Sequence, residues 1–396
     1  MAAMSKPRNR QLSKDRAGIY VLQPGGFRAF IPKPLPPAPP ICYTDELLDA
    51  LSLADRRLGR LDGAADILPE PELFVTMYVH KEAVLSSQIE GTQASLVDVL
   101  EYEAGAEKRG LPSDVIEIVN YVAAMNYGLE RVKELPLSLR LIREIHARLL
   151  SGTRGSERVP GEFRQSQNWV GPPGSTLADA MYVPPPVHEM KEALHHLEQF
   201  IYTQSHIPAL VMCGLLHSQF ETIHPFLDGN GRMGRLLITF LLCQQGILKR
   251  PLLYLSHYFK QRRSEYYDRL QAVRDRGEWE EWLTFFLRGV AEVSAQATET
   301  ARRILALQQE HRSFIQSRMR TINASRLLEH LFHRPVISVA NAAKLLSITP
   351  EGANRLVSEI ASLGILKEMT GRPRKRLFAY SSYLAILAEG TEMAST

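Results

Sequence analysis

Between Asp45 and Val290, apolar residues return every three or four positions through most of the chain, the spacing that gathers them on one stripe of an α-helix. The runs LLDALSLADRRLGRL, ELFVTMYVHKEAVLSSQIE, SLVDVLEYEA, DVIEIVNYVAAMNYGLERV, LRLIREIHARLL, EMKEALHHLEQFI, ALVMCGLLHSQFETI and RMGRLLITFLLCQQ each predict a helix, so an all-helical body is expected. Residues 161–186, GEFRQSQNWVGPPGSTLADAMYVPPP, break this pattern. Their glycines and prolines forbid a helix, while NWV and MYV are β-prone pieces around a turn-rich tip, which predicts a β-hairpin flap. Upstream, PKPLPPAPP at residues 32–40 predicts an extended polyproline II arm, and the neighbouring Phe27, Phe30 and Ile31 suggest that it packs on its own domain.

After WEEWLTFFLRGV comes an Ala-, Gln- and Arg-rich stretch, residues 291–322, read as a connecting helix. A different unit follows. SRLLEHLF, SVANAAKLLS and TPEGANRLVSEIASLG are three short helices, the third opened by Thr349 as N-cap with Pro350 at the first helical position. ILKEMTGRPRKRLFAYS then offers two β-prone pieces around a turn, completing the order of a winged helix-turn-helix. The fold class expected is mainly α: a helical bundle with a β-hairpin flap, then a small C-terminal winged helix. Its segments are an arm at 1–44, a helical region at 45–130, a core at 131–290, the connector at 291–322 and the winged helix at 323–396.

Composition narrows the class without choosing the chemistry. With 396 residues, 45% apolar and 23% charged, the chain reads as an ordinary globular protein of more than one domain. A net charge of +4 is too mild for a general nucleic-acid binder, so any DNA contact is expected in a local patch, with Arg372, Arg374, Lys375 and Arg376 of the wing as candidates. Three irregularly spaced cysteines fit a reducing, cytoplasmic setting, and the longest apolar run, LLITFLLC, is far too short to span a bilayer. No histidine pair stands at zinc-ligand spacing with partners, so none is read as a metal site.

The chemistry concentrates in HPFLDGNGR, His224–Arg232. Gly229, Asn230 and Gly231 stand just before a helical run, where orphan amide donors and the positive dipole end bind phosphate. Arg232 and Arg235, three apart, can serve one polyphosphate. Asp228 is a hard oxygen ligand suited to Mg²⁺, and His224, kept out of the helical region by Pro225, is placed to take a proton from an incoming hydroxyl. Taken as residues alone, the motif is a nucleotide polyphosphate cradle with a metal ligand and a general base.

HPFLDGNGRMGR resembles the signature HPFx[D/E]GNGRxxR of Fic-domain proteins at every fixed position, and NYVAAMNYGLE, PGEFRQSQNWVG, MYVPPP, PLLYLSHYF and WEEWLTFFL are similar to stretches of that family over about residues 20–290. The resemblance implies a Fic-type bundle and transfer of AMP from ATP to a Ser, Thr or Tyr hydroxyl of a target protein, the chain itself among the targets, with release of pyrophosphate. It makes His224 the base and Asp228 the Mg²⁺ ligand. Gly229, Asn230 and Gly231 become the anion hole, Arg232 the phosphate clamp and Arg235 the γ-phosphate partner, with Phe226 anchoring the loop. It also places Gln219 and Arg262 at the nucleotide, Arg262 standing where the family often has Asn. The flap residues Asn168, Trp169, Val170, Met181, Tyr182 and Val183 are implied to hold the target segment by strand addition.

Upstream, SSQIEG ends a helix whose Gly91 is the expected C′ residue, and Ser86 and Glu90, four apart, share a face flanked by Leu85 and Ile89. The stretch resembles the [S/T]xxxE[G/N] motif of autoinhibited Fic proteins, on a helix over about residues 73–91. This implies that Glu90 pairs with Arg235 and displaces the γ-phosphate. Two other readings stay open: a nucleotide-sensing regulator that binds DNA through the winged helix, and removal of AMP from a modified protein. A homodimer is compatible with either; a membrane partner is not expected.

Overall fold

The computed structural model describes residues 14–66, 71–104, 113–152, 158–172, 174–203, 206–371 and 376–391. In chain order its elements are β1 (Gly18–Leu22), β2 (Arg28–Pro32), α1 (Asp45–Asp66), α2 (Pro71–Ile89), α3 (Leu96–Glu103), α4 (Ser113–Arg131), α5 (Leu139–Leu149), α6 (Val187–Tyr202), α7 (Ala209–Ile223) and α8 (Asn230–Gln244). There follow α9 (Ser256–Gln261), α10 (Arg263–Arg276), α11 (Trp279–Arg318), α12 (Ile322–His333), β3 (Val336–Ser338), α13 (Val339–Leu346), α14 (Pro350–Ser362), β4 (Leu366–Glu368), β5 (Leu377–Tyr380) and α15 (Ser381–Ala388). The chain divides into two compact units, one of residues 14–52, 162–230 and 262–288, the other of residues 53–161, 231–261 and 289–391.

The first unit is built around α7, whose residues from Leu210 to Ile223 are all buried, as its near-continuous apolar sequence requires. The arm packs on this unit, but not as a uniform polyproline II strand. It opens with an antiparallel hairpin, β1 on β2 with Tyr20 opposite Phe30, a pairing that the proline-rich stretch beside it gave no reason to expect. Its Leu35–Pro36 and Ala38–Pro39 bonds are cis. Arg16 fastens the arm: its two terminal nitrogens donate to the Glu280 carboxylate at 2.8 and 3.0 Å, and others of its bonds reach the Pro39, Pro40 and Gly277 carbonyls. A guanidinium with no exposed side-chain surface needs all of these partners.

The second unit packs α2 against α4, α9, α12 and α15, and α4 against α5. Gly128 of α4 admits the Phe240 ring of α8, which any side chain there would strike. Its C-terminal part has the expected winged helix-turn-helix order: α12, α13, α14 and a sheet ordered β3-β5-β4, all antiparallel. Thr349 caps α14 by accepting from Gly352 N at 3.1 Å, with Pro350 behind it. Two elements there, β3 and α15, are additions to the sequence reading, and the wing residues Arg372, Arg374 and Lys375 lie outside the described residues.

Two expectations are corrected. The flap is reduced to one antiparallel bridge, Val170 with Tyr182, because Gly171, Pro172 and the Pro184–Pro186 run leave few amides to extend a ladder. The connector at 291 is no separate helix: α11 runs unbroken for 40 residues, there being neither Pro nor a helix stop between Val290 and Arg318.

Replacing Arg16 by Ala strands the Glu280 carboxylate, and removal of one partner from a buried pair costs about 3–5 kcal/mol. Urea denaturation is expected to show a loss of that order, with Glu280→Gln less damaging than Arg16→Ala.

Candidate active site

In the first unit, α7 ends on His224 in a left-handed conformation, φ 49° and ψ 60°, a strained position for a non-glycine residue. Pro225 removes the helical alternative, and four contacts hold the strain. Arg164 Nε donates to the His224 carbonyl at 3.1 Å and Asn168 Nδ2 to the same oxygen at 3.3 Å, while Asn168 also donates to the Phe226 carbonyl at 2.8 Å. Arg164 N donates to the Pro225 carbonyl at 2.9 Å. Asn230 bonds both backbone groups of Phe226, and the Phe226 ring is fully buried. The loop is therefore fixed before any ligand arrives. The His224 ring is half-buried, with Nδ1 3.3 Å from the Glu221 carbonyl, a contact that suits a proton on Nδ1. Asp228 is half-buried and accepts from the Gly229 amide at 2.6 Å.

The flap residues divide. Asn168, Tyr182 and Val183 are buried: Tyr182 donates to the Thr222 carbonyl and lies under the Arg274 guanidinium at 3.9 Å, and the Val183 carbonyl accepts from Phe30 N at 3.0 Å. Trp169 and Met181 are exposed. Gln219 is buried and donates to the Lys33 carbonyl at 2.8 Å, tying α7 to the arm. Arg262 stands half-exposed at the start of α10. Arg164, overlooked in the sequence, is the most heavily used side chain of the loop; burial pulls its pKa down to about 10.

In the second unit, the same motif continues into α8, whose first-turn amides carry the positive end of the helix dipole. Arg235 is buried. Its Nε donates to Ser86 Oγ at 2.8 Å, and its Nη2 donates to the Ser86 carbonyl at 3.0 Å and to Glu90 Oε1 at 2.8 Å. The accessible share of the side chain is 2% for Arg235 and 37% for Glu90, so the carboxylate can leave and the guanidinium cannot. A side chain on Gly231 would run into Glu90 Oε1 and Arg235 Nη1, so the Glu90 carboxylate lies against the glycine backbone of the motif. Glu90 itself sits just past the end of α2, where Thr92 N closes back to the Ser87 carbonyl at 3.2 Å and Gly91 takes φ +101°. Arg232 is buried and meets Glu117 of α4 at 3.3 Å, a partner that nothing in the sequence marked.

Beneath Arg235 lies a second carboxyl. Glu82, Ser86 and Glu90 follow one another four apart. Ser86 bonds the Tyr121 hydroxyl, Tyr121 donates to Glu82 Oε1 at 3.2 Å, and Ser256 donates to the same oxygen. Burial pushes the Glu82 carboxyl up to about 7, against the pull of Ser256, Arg235 and Tyr121. The sequence signal was a lone acid in an apolar helical stripe.

Comparison with known proteins names this arrangement. Residues 48–130 match the Fic/DOC family N-terminal region, residues 136–242 the Fic/DOC family, and residues 325–378 an HTH DNA binding domain. The chain thus carries a Fic/DOC domain with its N-terminal region, followed by a helix-turn-helix domain. It is 29% identical over 183 residues to the probable protein adenylyltransferase aq_aa38 of Aquifex aeolicus, covering 45% of this chain and 52% of that protein. It is 29% identical over 242 residues to the protein adenylyltransferase Fic of Aedes aegypti, covering 56% and 44%. The chain therefore spans about half the length of the curated relatives it matches. In fold it is similar to a Fic family protein of Desulfovibrio desulfuricans, with a TM-score of 0.53 at 18% identity over 86% of this chain and 97% of the other.

Because Glu82 is raised from 4.5 to about 7 in the folded protein, the native state holds its proton more tightly than the unfolded one. The stability this adds is complete below about pH 4.5 and lost as pH rises through about 7. Guanidinium denaturation from pH 5 to 8 is expected to show parent stability declining relative to Glu82→Gln, whose neutral amide cannot ionise.

Proposed function

We propose that the chain is a protein adenylyltransferase, held in check by Glu90, that moves AMP from ATP to a Ser, Thr or Tyr hydroxyl of a target protein or of itself. The observation that carries this reading is the Glu90 carboxylate seated on Arg235 and against Gly231, where an anion-binding helix start would otherwise meet phosphate. The relatives named protein adenylyltransferase support the chemistry.

In the reaction, His224 Nε2 takes the proton of the target hydroxyl as its oxygen attacks the α-phosphorus. The bond from that phosphorus to the oxygen leading to the β-phosphate breaks, and pyrophosphate departs. The amides at Gly229–Gly231 and the start of α8, with Arg232 and Arg235, bind and orient the polyphosphate. Asp228, half-buried beside the Gly229 amide, is the hard oxygen ligand that would hold Mg²⁺ together with nucleotide oxygens. Mg²⁺ held at Asp228 would supply positive charge against the departing pyrophosphate. Of the flap, Trp169 and Met181 are exposed to a target segment, whereas Val170 has both backbone groups bonded to Tyr182, and Asn168 and Tyr182 hold the catalytic loop.

The helix-turn-helix match supports DNA as a further partner of the C-terminal domain, although the open face of α14 carries Glu351 and Glu359 beside Asn354 and Arg355. No helix among the described residues is long and apolar enough to cross a membrane. The cytoplasmic setting we propose rests on the three irregularly spaced, free cysteines.

Incubation with labelled ATP and a cell lysate tests the assignment. Glu90→Gly is expected to raise transfer and self-labelling above the parent, because Arg235 is released to the γ-phosphate; a variant no faster than the parent overturns autoinhibition. If removal of AMP were the reaction, the same variant would instead lose activity on a pre-modified target. His224→Ala, placed in the Glu90→Gly protein, is expected to keep ATP binding and lose about 10²–10⁴-fold in transfer rate, the worth of a general base.

A further inference from the structure

The turn that carries Glu90 is held by a residue outside the motif. Gln88 sits at the end of α2, half-buried, between Ser87 and Ile89. Its amide nitrogen lies 3.3 Å from the Ala94 carbonyl and 3.2 Å from the Thr391 carbonyl, and its oxygen accepts from Lys260 Nζ of α9 at 2.7 Å. One side chain thereby joins the inhibitory turn, the segment after it, α9 and the far C-terminal stretch, 303 residues away in sequence.

The C-terminal stretch is itself anchored. Thr391 is buried and its amide and hydroxyl both donate to the Ala388 carbonyl at 2.8 Å, closing the end of α15. Glu389 holds Arg303 of α11 through two bonds, at 2.6 and 2.7 Å. α15 packs directly on α2 with Tyr383, Leu384 and Leu387 buried. The helix that presents Ser86 and Glu90 is thus backed by the last helix of the C-terminal domain.

We infer that Gln88 is a positioning residue of the inhibitory turn, and that the C-terminal domain, through α15 and Thr391, sets how firmly Glu90 holds Arg235. A primary amide suits this place because it gives two donors and an acceptor at once, reaching two carbonyls and an ammonium that no single-function side chain could satisfy. Loosening any of these contacts frees the turn from Gln88 to Ala94 without touching Arg235, the motif glycines or His224. The inference rests on the reading of Glu90 as an autoinhibitory residue.

The test measures self-labelling with labelled ATP in the full chain, with Gln88→Leu, which keeps the volume of the side chain, and Lys260→Met, which removes only the ammonium. At ordinary net strength the one hydrogen bond that Lys260→Met removes corresponds to about a fivefold rise in rate over the parent, and the three that Gln88→Leu removes to a rise at least as large. Thr391→Pro, which removes the amide that holds the Thr391 carbonyl in place, is expected to act in the same direction. None of the three should add to Glu90→Gly, since the contact they regulate is then gone. Hydrogen exchange at the Glu90–Thr92 amides gives an activity-independent readout and should quicken in Gln88→Leu while exchange in α7 stays as in the parent. Unchanged labelling and exchange in Gln88→Leu and Lys260→Met would overturn the inference, as would an equal gain in the Glu90→Gly background. A Glu90→Gly protein that fails to outrun its parent instead strikes the reading on which the inference rests, so the two failures are separable.

Discussion

A buried guanidinium cannot lose its proton and cannot tolerate empty donors, and much of the second unit follows from meeting that demand at Arg235. The partners come from one face of α2, with Ser86 bonded to Nε and Nη2 and Glu90 to Nη2. One turn earlier on the same face, Glu82 receives the hydroxyl relay that starts at Ser86. Four-residue spacing puts Ser86 and Glu90 in reach of Arg235 and Glu82 at the foot of the relay, so α2 must lie at a fixed rotation, and the packing of α4, α9 and α15 around it supplies that rotation.

The loop from His224 to Asn230 in the first unit solves the reverse problem. Its backbone is strained at His224 and its side chain must stay accessible, so the restraint is applied to the carbonyls behind it. Arg164 and Asn168 from the flap segment, and Asn230 from the motif itself, bind the carbonyls or amides of His224, Pro225 and Phe226. This explains why residues read as a target-docking surface are partly interior: Asn168 and Tyr182, although within the flap, form part of the loop's scaffold. Strain maintained by surrounding hydrogen bonds keeps the imidazole at the mouth of the loop at no cost when substrate binds.

Much of this was legible in the sequence. Helical period located the body, Thr349 and Pro350 opened α14 as their capping chemistry requires, and Gly91 ended α2 with the left-handed backbone expected of it. The motif from His224 to Arg235 and the Ser86–Glu90 pair were identifiable because glycines, charges and fixed spacings carry local meaning. What escaped was non-local. Glu117 reaches Arg232 across 115 residues and Arg164 reaches His224 across 60, and neither has a local pattern to betray it. The hairpin of β1 and β2 was hidden by the prolines that follow it, and the flap was overdrawn because β-prone triplets cannot make a ladder where proline removes the donors.

The asymmetry between the two ends of the Arg235–Glu90 pair decides what regulation can look like. The guanidinium is locked by Ser86 and by burial, so under the proposed autoinhibition relief comes from withdrawing Glu90, which stands at the solvent end of the ladder, and not from moving Arg235. A ligand withdraws it only to the extent that it binds the open turn better than the closed one, and moving a population from 1:99 to 99:1 needs a preference of about 10⁴-fold. On the proposed reading ATP would compete from within the site, its γ-phosphate for the place the Glu90 carboxylate holds on Arg235. The remainder has to come from contacts that differ between open and closed turns but lie away from the nucleotide. The described structure offers such contacts where Gln88 meets Lys260 and the Thr391 carbonyl, so the C-terminal domain is placed to contribute to the equilibrium without contributing any atom to the chemistry.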